Sequence, residues 1–149
     1  MAHHPTSGCD VYARQMGTLR GPPLYRDKHK PIGQTVSPLA ETFRLLPNAS
    51  LCFDIGHARQ VDPTMSEATA ILQFCRGRLG QIHISEVNSQ SKHDALSFES
   101  VLAFRKVSHL IPEGVAVIVE SRVTAEEVEE EIQDVSKALT YERLAVAGD

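Results

Sequence analysis

The chain has 149 residues, 23% of them charged and 42% hydrophobic, with a formal net charge of −4. That balance suits one soluble globular domain with a real core, and it disfavours nucleic acid as a partner, because phosphate neutralisation needs clustered cations. No apolar run is long enough for a membrane span, no signal-peptide pattern opens the chain, and Cys9, Cys52 and Cys75 form no CxxC, so reduced thiols and a cytoplasmic location are expected.

Residues 1–37 show little hydrophobic periodicity and are interrupted by Gly8, Gly17, Gly21, Pro22, Pro23, Pro31 and Gly33. They read as an irregular or poorly ordered segment. The patterned region is 38–149. Ser37-Pro38 reads as an N-cap followed by a first-turn proline, opening a helix through Leu39, Phe43 and Leu46. LCFD (51–54) reads as a strand ending in a turn. Thr64-Met-Ser-Glu67 has the form of a capping box, with Ala68, Ile71, Leu72 and Cys75 on one helix face. QIHIS (81–85) is a second strand, followed by the polar loop EVNSQSKHDAL. A helix from about Phe98 to Leu110 places Val101, Leu102, Arg105 and His109 at helical spacing. VAVIVE (115–120) is a third strand. Thr124-Ala-Glu-Glu127 resembles another capping box, leading to a helix whose acids from Glu126 to Glu131 read as a solvated face. Alternating strands and helices imply an α/β fold with about three parallel strands and flanking helices. A doubly wound sheet and a barrel both fit that order.

Strand side chains alternate faces. Leu51 and Phe53, Ile82 and Ile84, and Val117 and Val119 form apolar faces suited to lie beneath helices. The opposite faces carry Asp54, His83 and Glu120 at the carboxyl ends of the three strands. Ligands bind at such ends in open α/β sheets and barrels. Singly, a strand-end Asp is usually a cap, a strand His a structural hydrogen-bonding group, and a terminal Glu solvated. Together at equivalent ends they suit a divalent cation, Mn²⁺, Mg²⁺, Co²⁺ or Zn²⁺, better than a soft thiolate site would. His57, three residues after Asp54, stands ready as a partner, a substrate ligand or a ligand to another cation.

LCFDIGHA (51–58), QIHISEVN (81–88) and VIVES (117–121) resemble the last three strands of the xylose isomerase-like superfamily. That superfamily comprises sugar phosphate isomerases and epimerases and the endonuclease IV-like enzymes. The likeness spans roughly residues 38–140 and implies the C-terminal part of a (β/α) barrel. It implies metal ligands at Asp54, His83 and Glu120, with Glu120 also catalytic as an acid/base. It further implies substrate contacts at His57, Glu86, Asn88 and His93, and a sugar-like substrate that exchanges a proton beside a carbonyl.

The departures set limits on that expectation. The family's first ligand, a glutamate on the strand before the first helix here, has no match, since the first glutamate is Glu41 within that helix. Ser89 stands where ketose epimerases carry an arginine, and Ser91 where endonuclease IV-like enzymes carry an aspartate. Three parallel strands do not close a barrel. The expectation is therefore a truncated form with reduced or no activity alone, whose open strand edges call for a second copy or a complementing chain. The alternatives are a non-catalytic metal-binding or oligomerising barrel remnant and, further off, endonuclease IV-like, metal-assisted phosphodiester hydrolysis.

Overall fold

The computed structural model describes residues 9–12 and 35–140. The elements are β1 (Cys9–Tyr12), α1 (Val36–Leu45), β2 (Ser50–Asp54), α2 (Ile55–Val61), α3 (Ser66–Cys75), β3 (Leu79–Ile84), β4 (Glu86–Val87), β5 (His93–Asp94), α4 (Phe98–Ser108), β6 (Ala116–Val119) and α5 (Val128–Leu139). The main sheet has the order β1-β2-β3-β6. β2, β3 and β6 run parallel, as the alternation of elements predicts, whereas β1 pairs antiparallel along the outer edge of β2.

Within residues 1–37 the described residues hold the short β1 and the start of α1, and the rest of that segment up to residue 34 lies outside the described residues. α1 starts at Val36 with Thr35 at the cap, so Ser37 does not cap it. Pro38 still sits in the first turn, where a missing N–H costs nothing. The residues after Asp54 form α2 instead of a turn, and Asp54 is its cap, accepting from the His57 N–H at 2.9 Å. Thr64 does not form the expected box with Glu67, its hydroxyl accepting from the Ser66 N–H at 3.3 Å. Asp62 takes the Glu67 N–H, accepting from it and from the Thr64 N–H at 3.0 Å each. The loop 86–96 contains the antiparallel ribbon β4–β5. α4 buries Val101, Ala103, Phe104 and Val107, while Leu102 and His109 are exposed. Before α5, Glu127 reaches back to the Thr124 N–H at 2.8 Å, which is half of the expected capping box. Within the acidic run, Glu131 is buried against expectation.

The apolar face of β2 and β3 packs as its alternation predicts, whereas on β6 Val119 packs against the core and Val117, expected beneath the helices, is exposed. Leu51, Phe53, Ile82 and Ile84 are fully buried in one cluster with Leu39 and Phe43 of α1, Ile71 and Leu72 of α3, Phe104 of α4 and Val135 of α5. The register needs one irregularity. Leu51 faces Leu79, yet Cys52 faces Gln81, so Gly80 is the extra residue of a bulge. Without it, Asp54 would lie beside Ile82. With it, Asp54 lies beside His83 on the same face.

Candidate metal centre

Each parallel strand delivers one side chain to its carboxyl end. Asp54 is the last residue of β2 and pairs in register with His83 of β3. Glu120 follows β6 directly, and its N–H continues the ladder to the Ile84 carbonyl at 3.0 Å. Ligand atoms of Asp54, His83 and Glu120 all lie within 4.8 Å of one another. A second set, Asp54, His57 and His93, meets the same limit and shares Asp54. The structure therefore brings together five of the seven site residues expected from sequence.

The groups are held firmly. His83 Nδ1 lies 2.9 Å from Glu120 Oε1, and Gln81 Nε2 lies 2.6 Å from His83 Nε2. A neutral ring protonated at Nδ1 satisfies both contacts, donating to Glu120 and accepting from Gln81. His93 Nδ1 lies 2.7 Å from the buried Ser85 hydroxyl and 3.6 Å from Glu120 Oε2. The His57 and His93 rings meet edge to face, with centroids 5.3 Å apart. His57 Nδ1 lies 3.2 Å from Gln60 Oε1, and Gln60 in turn donates to the Asn88 carbonyl at 2.8 Å. Gln81 and Ser85 share the His83 face by simple alternation, so sequence carried the signal for both. Gln60 falls in the helix that sequence reading missed.

Burial pushes the Asp54 carboxyl above its ordinary range. The His57 N–H and the nearby imidazoles pull the other way, and Glu120 adds to the rise. A cation would relieve that penalty, since the carboxylate then faces an opposite charge.

Glu86 and Asn88 do not join the cluster. Glu86 Oε1 accepts from Arg59 at 3.1 Å, and Oε2 accepts from the Ser97 N–H at 2.9 Å and the Ser100 hydroxyl at 2.7 Å. Those bonds outweigh burial and lower the Glu86 carboxyl to about 2. Asn88 Oδ1 accepts from the Gln90 and Lys92 N–H groups at 2.9 and 3.1 Å, and its amide donates to Asp94 at 2.7 Å. Both side chains shape the loop that carries His93. The polar atoms of both are engaged within the protein, and neither belongs to the two donor sets.

Gly56 explains the glycine of the DIGH segment. A Cβ there would collide with the Ser85 carbonyl oxygen, so only glycine lets the first turn of α2 approach the end of β3. Comparison of the chain with protein-family models, with curated proteins and with solved structures finds no match. Among the described residues, no helix is long and apolar enough to cross a membrane.

Proposed function

We propose that this protein holds a divalent cation at Asp54, His83 and Glu120, on a partial (β/α) barrel, and that the site serves proton transfer beside the carbonyl of a sugar-like substrate. The observation that carries this reading is the convergence of the three donors within 4.8 Å at the ends of adjacent parallel strands. Two carboxylates and an imidazole fit Mn²⁺, Mg²⁺, Co²⁺ or Zn²⁺. A cation held there supplies polarisation of a carbonyl and stabilises the negative charge that builds on its oxygen.

The chain's own residues do the rest. Asp54 and His83 fix the substrate end of the site. Glu120 is the proton carrier, and its Oε2 has the His93 imidazole 3.6 Å away. His57 and His93 stand beside it as substrate contacts. The counterpart of a second base is not found among the described residues, since Glu41 is exposed on α1. Activity of this chain by itself is accordingly low or nil. β6 pairs only with β3 among the described residues and leaves Val117 and Ile118 exposed, which supports assembly with a second copy or a complementing chain.

Titration of Mn²⁺ and Zn²⁺ by calorimetry tests the core of the proposal. Binding at one cation per chain is expected, weakened about 100-fold or more in His83→Ala. Absence of binding, or binding indifferent to that change, would overturn it. Turnover is read separately, as deuterium exchange from solvent into keto-sugars, abolished in Glu120→Gln. Metal binding without exchange would favour the non-catalytic reading. The second donor set, which shares Asp54, favours a two-cation site of the kind that cleaves phosphodiesters. Two cations per chain and incision of abasic DNA would support that reading instead.

A further inference from the structure

The helices on the apolar face of the sheet lie in the order α1, α3, α4, α5, each packed on the next, so α1 and α5 close the two ends of the layer. Those ends carry opposite charge. At one of them the carboxyl ends of α1 and α3 lie together. The Arg78 guanidinium, just past α3, stacks 4.9 Å from the centre of the Phe43 ring of α1 and donates to the Pro47 carbonyl at 2.6 Å. Arg44 and Arg76 are exposed beside this joint, and Leu45 and Phe74 are 63% and 49% exposed. Glu41 is the acid one turn before Leu45, so three arginines leave this end net positive.

At the other end, α5 and the residues leading into it expose Glu126, Glu127, Glu129 and Glu130 around Val128 and Ile132. The two aliphatic residues stand one turn apart on one side of the helix. Lys137, the one cation on α5, is already paired with Asp134 at 2.7 Å. Arg122 precedes the run, and the end stays net negative. Neither Arg44 nor Arg76 nor any of the four glutamates has an ion pair among the described residues. Apolar side chains rimmed by unpaired charge are the mark of a contact surface.

We infer that the chain assembles head to tail with a second copy of itself, the α5 end of one copy docking on the α1–α3 end of the next. Val128 and Ile132 meet Leu45 and Phe74, and the glutamates around them meet Arg44 and Arg76. Two unlike patches that complement each other make a heterologous contact, in which every copy uses both ends. Pairing α5 with α5 about a two-fold axis would instead set four glutamates against four, and facing like charges repel. This deepens the assembly reading drawn from the open edge of β6 by naming the partner and both surfaces. It does not depend on the cation or on turnover.

Sedimentation velocity of the full chain after chelation tests it, across protein concentration and salt. Species larger than the monomer are expected at low ionic strength. High salt should raise their dissociation constant about tenfold or more, because exposed charges are screened. Arg44→Glu with Arg76→Glu at one end, and Glu129→Lys with Glu130→Lys at the other, should each raise it about tenfold or more. Mixed one to one, the two double variants should recover assembly, since facing charges are then opposite again. Ile132→Ser changes no charge and should weaken assembly about tenfold by removing apolar burial. The unfolding midpoint of each variant separates lost assembly from lost fold. A wild type that stays monomeric at every concentration, or double variants that fail to recover on mixing, would overturn the contact. So would assembly indifferent to the arginine changes, which would place the contact elsewhere. None of these readings involves the cation, so failure of metal binding or of exchange leaves them standing.

Discussion

The two faces of the parallel sheet are built by opposite rules. The helix-covered face of β2 and β3 carries Leu51, Phe53, Ile82 and Ile84, all fully buried, with no titratable group. The other face carries Cys52, Asp54, Gln81, His83 and Ser85, and beside its strand ends three imidazoles and two carboxylates gather in two overlapping sets whose ligand atoms lie within 4.8 Å of one another. One face gains free energy from apolar burial. The other gathers groups that repel one another or resist desolvation, and it persists because the first face holds the strands in place. Stability and chemistry are therefore separable by substitution, residue against adjacent residue.

The largest separation is expected at Phe53, the neighbour of Asp54. Phe53→Ala leaves a cavity beneath α1 and α3 and should lower unfolding free energy by about 3–5 kcal/mol in denaturant titration. Cation affinity of the molecules that remain folded should hardly change. A large fall in affinity of the folded fraction would show that the two faces are coupled. Glu86→Gln is expected to have a smaller effect, about 1–2 kcal/mol at neutral pH, because it weakens charge-assisted bonds from Arg59, Ser97 and Ser100. The sign with pH follows from the lowered carboxyl. Its stabilisation is complete above the ordinary glutamate value of 4.5 and is lost as pH falls toward about 2. The gap between wild type and Glu86→Gln should close across that window, and a gap that persists at pH 2 would show that shape, not charge, makes the contact.

Alternation made most of this legible. It placed Asp54, His83 and Glu120 on one face and assigned four core residues of β2 and β3 to the other. Counting from Gln81 gives the right faces. Counting from Leu79 does not explain why that residue is buried while Gln81 and His83 are only partly so, because the bulge at Gly80 resets the alternation. A glycine inside a strand pattern is the available signal. The rest was hidden for a common reason: it depends on partners far apart in the chain. Glu131 lies in an acidic run that reads as solvated, yet it is buried because the Leu96 N–H and the Ser121 hydroxyl need an acceptor. Glu86 sits in the segment that resembles a substrate loop, yet Arg59 and Ser100 claim it. Helix α2 is harder to read, because its cap, Asp54, is also the residue that strand alternation offers as a candidate ligand.

The smallest expected effect on stability falls on that same residue, and it has the opposite sign. Burial raises the Asp54 carboxyl, so at neutral pH the folded chain without a cation keeps a charge in a place that disfavours it. An acid whose folded value lies above its unfolded value costs stability once pH exceeds the unfolded value, and the cost fades as pH falls and the group takes up its proton. Asp54→Asn keeps an oxygen to accept from the His57 N–H, so the start of α2 survives, and it removes the charge. We expect the cation-free variant to be more stable than wild type by about 0.5–1 kcal/mol at pH 7, with the advantage vanishing toward acid pH. Added Zn²⁺ or Mn²⁺ should then raise the unfolding midpoint of wild type and leave that of Asp54→Asn where it was. A variant less stable than wild type at every pH would mean that the carboxylate is there to cap α2, and the polar face would lose its strongest mark of being built for a cation.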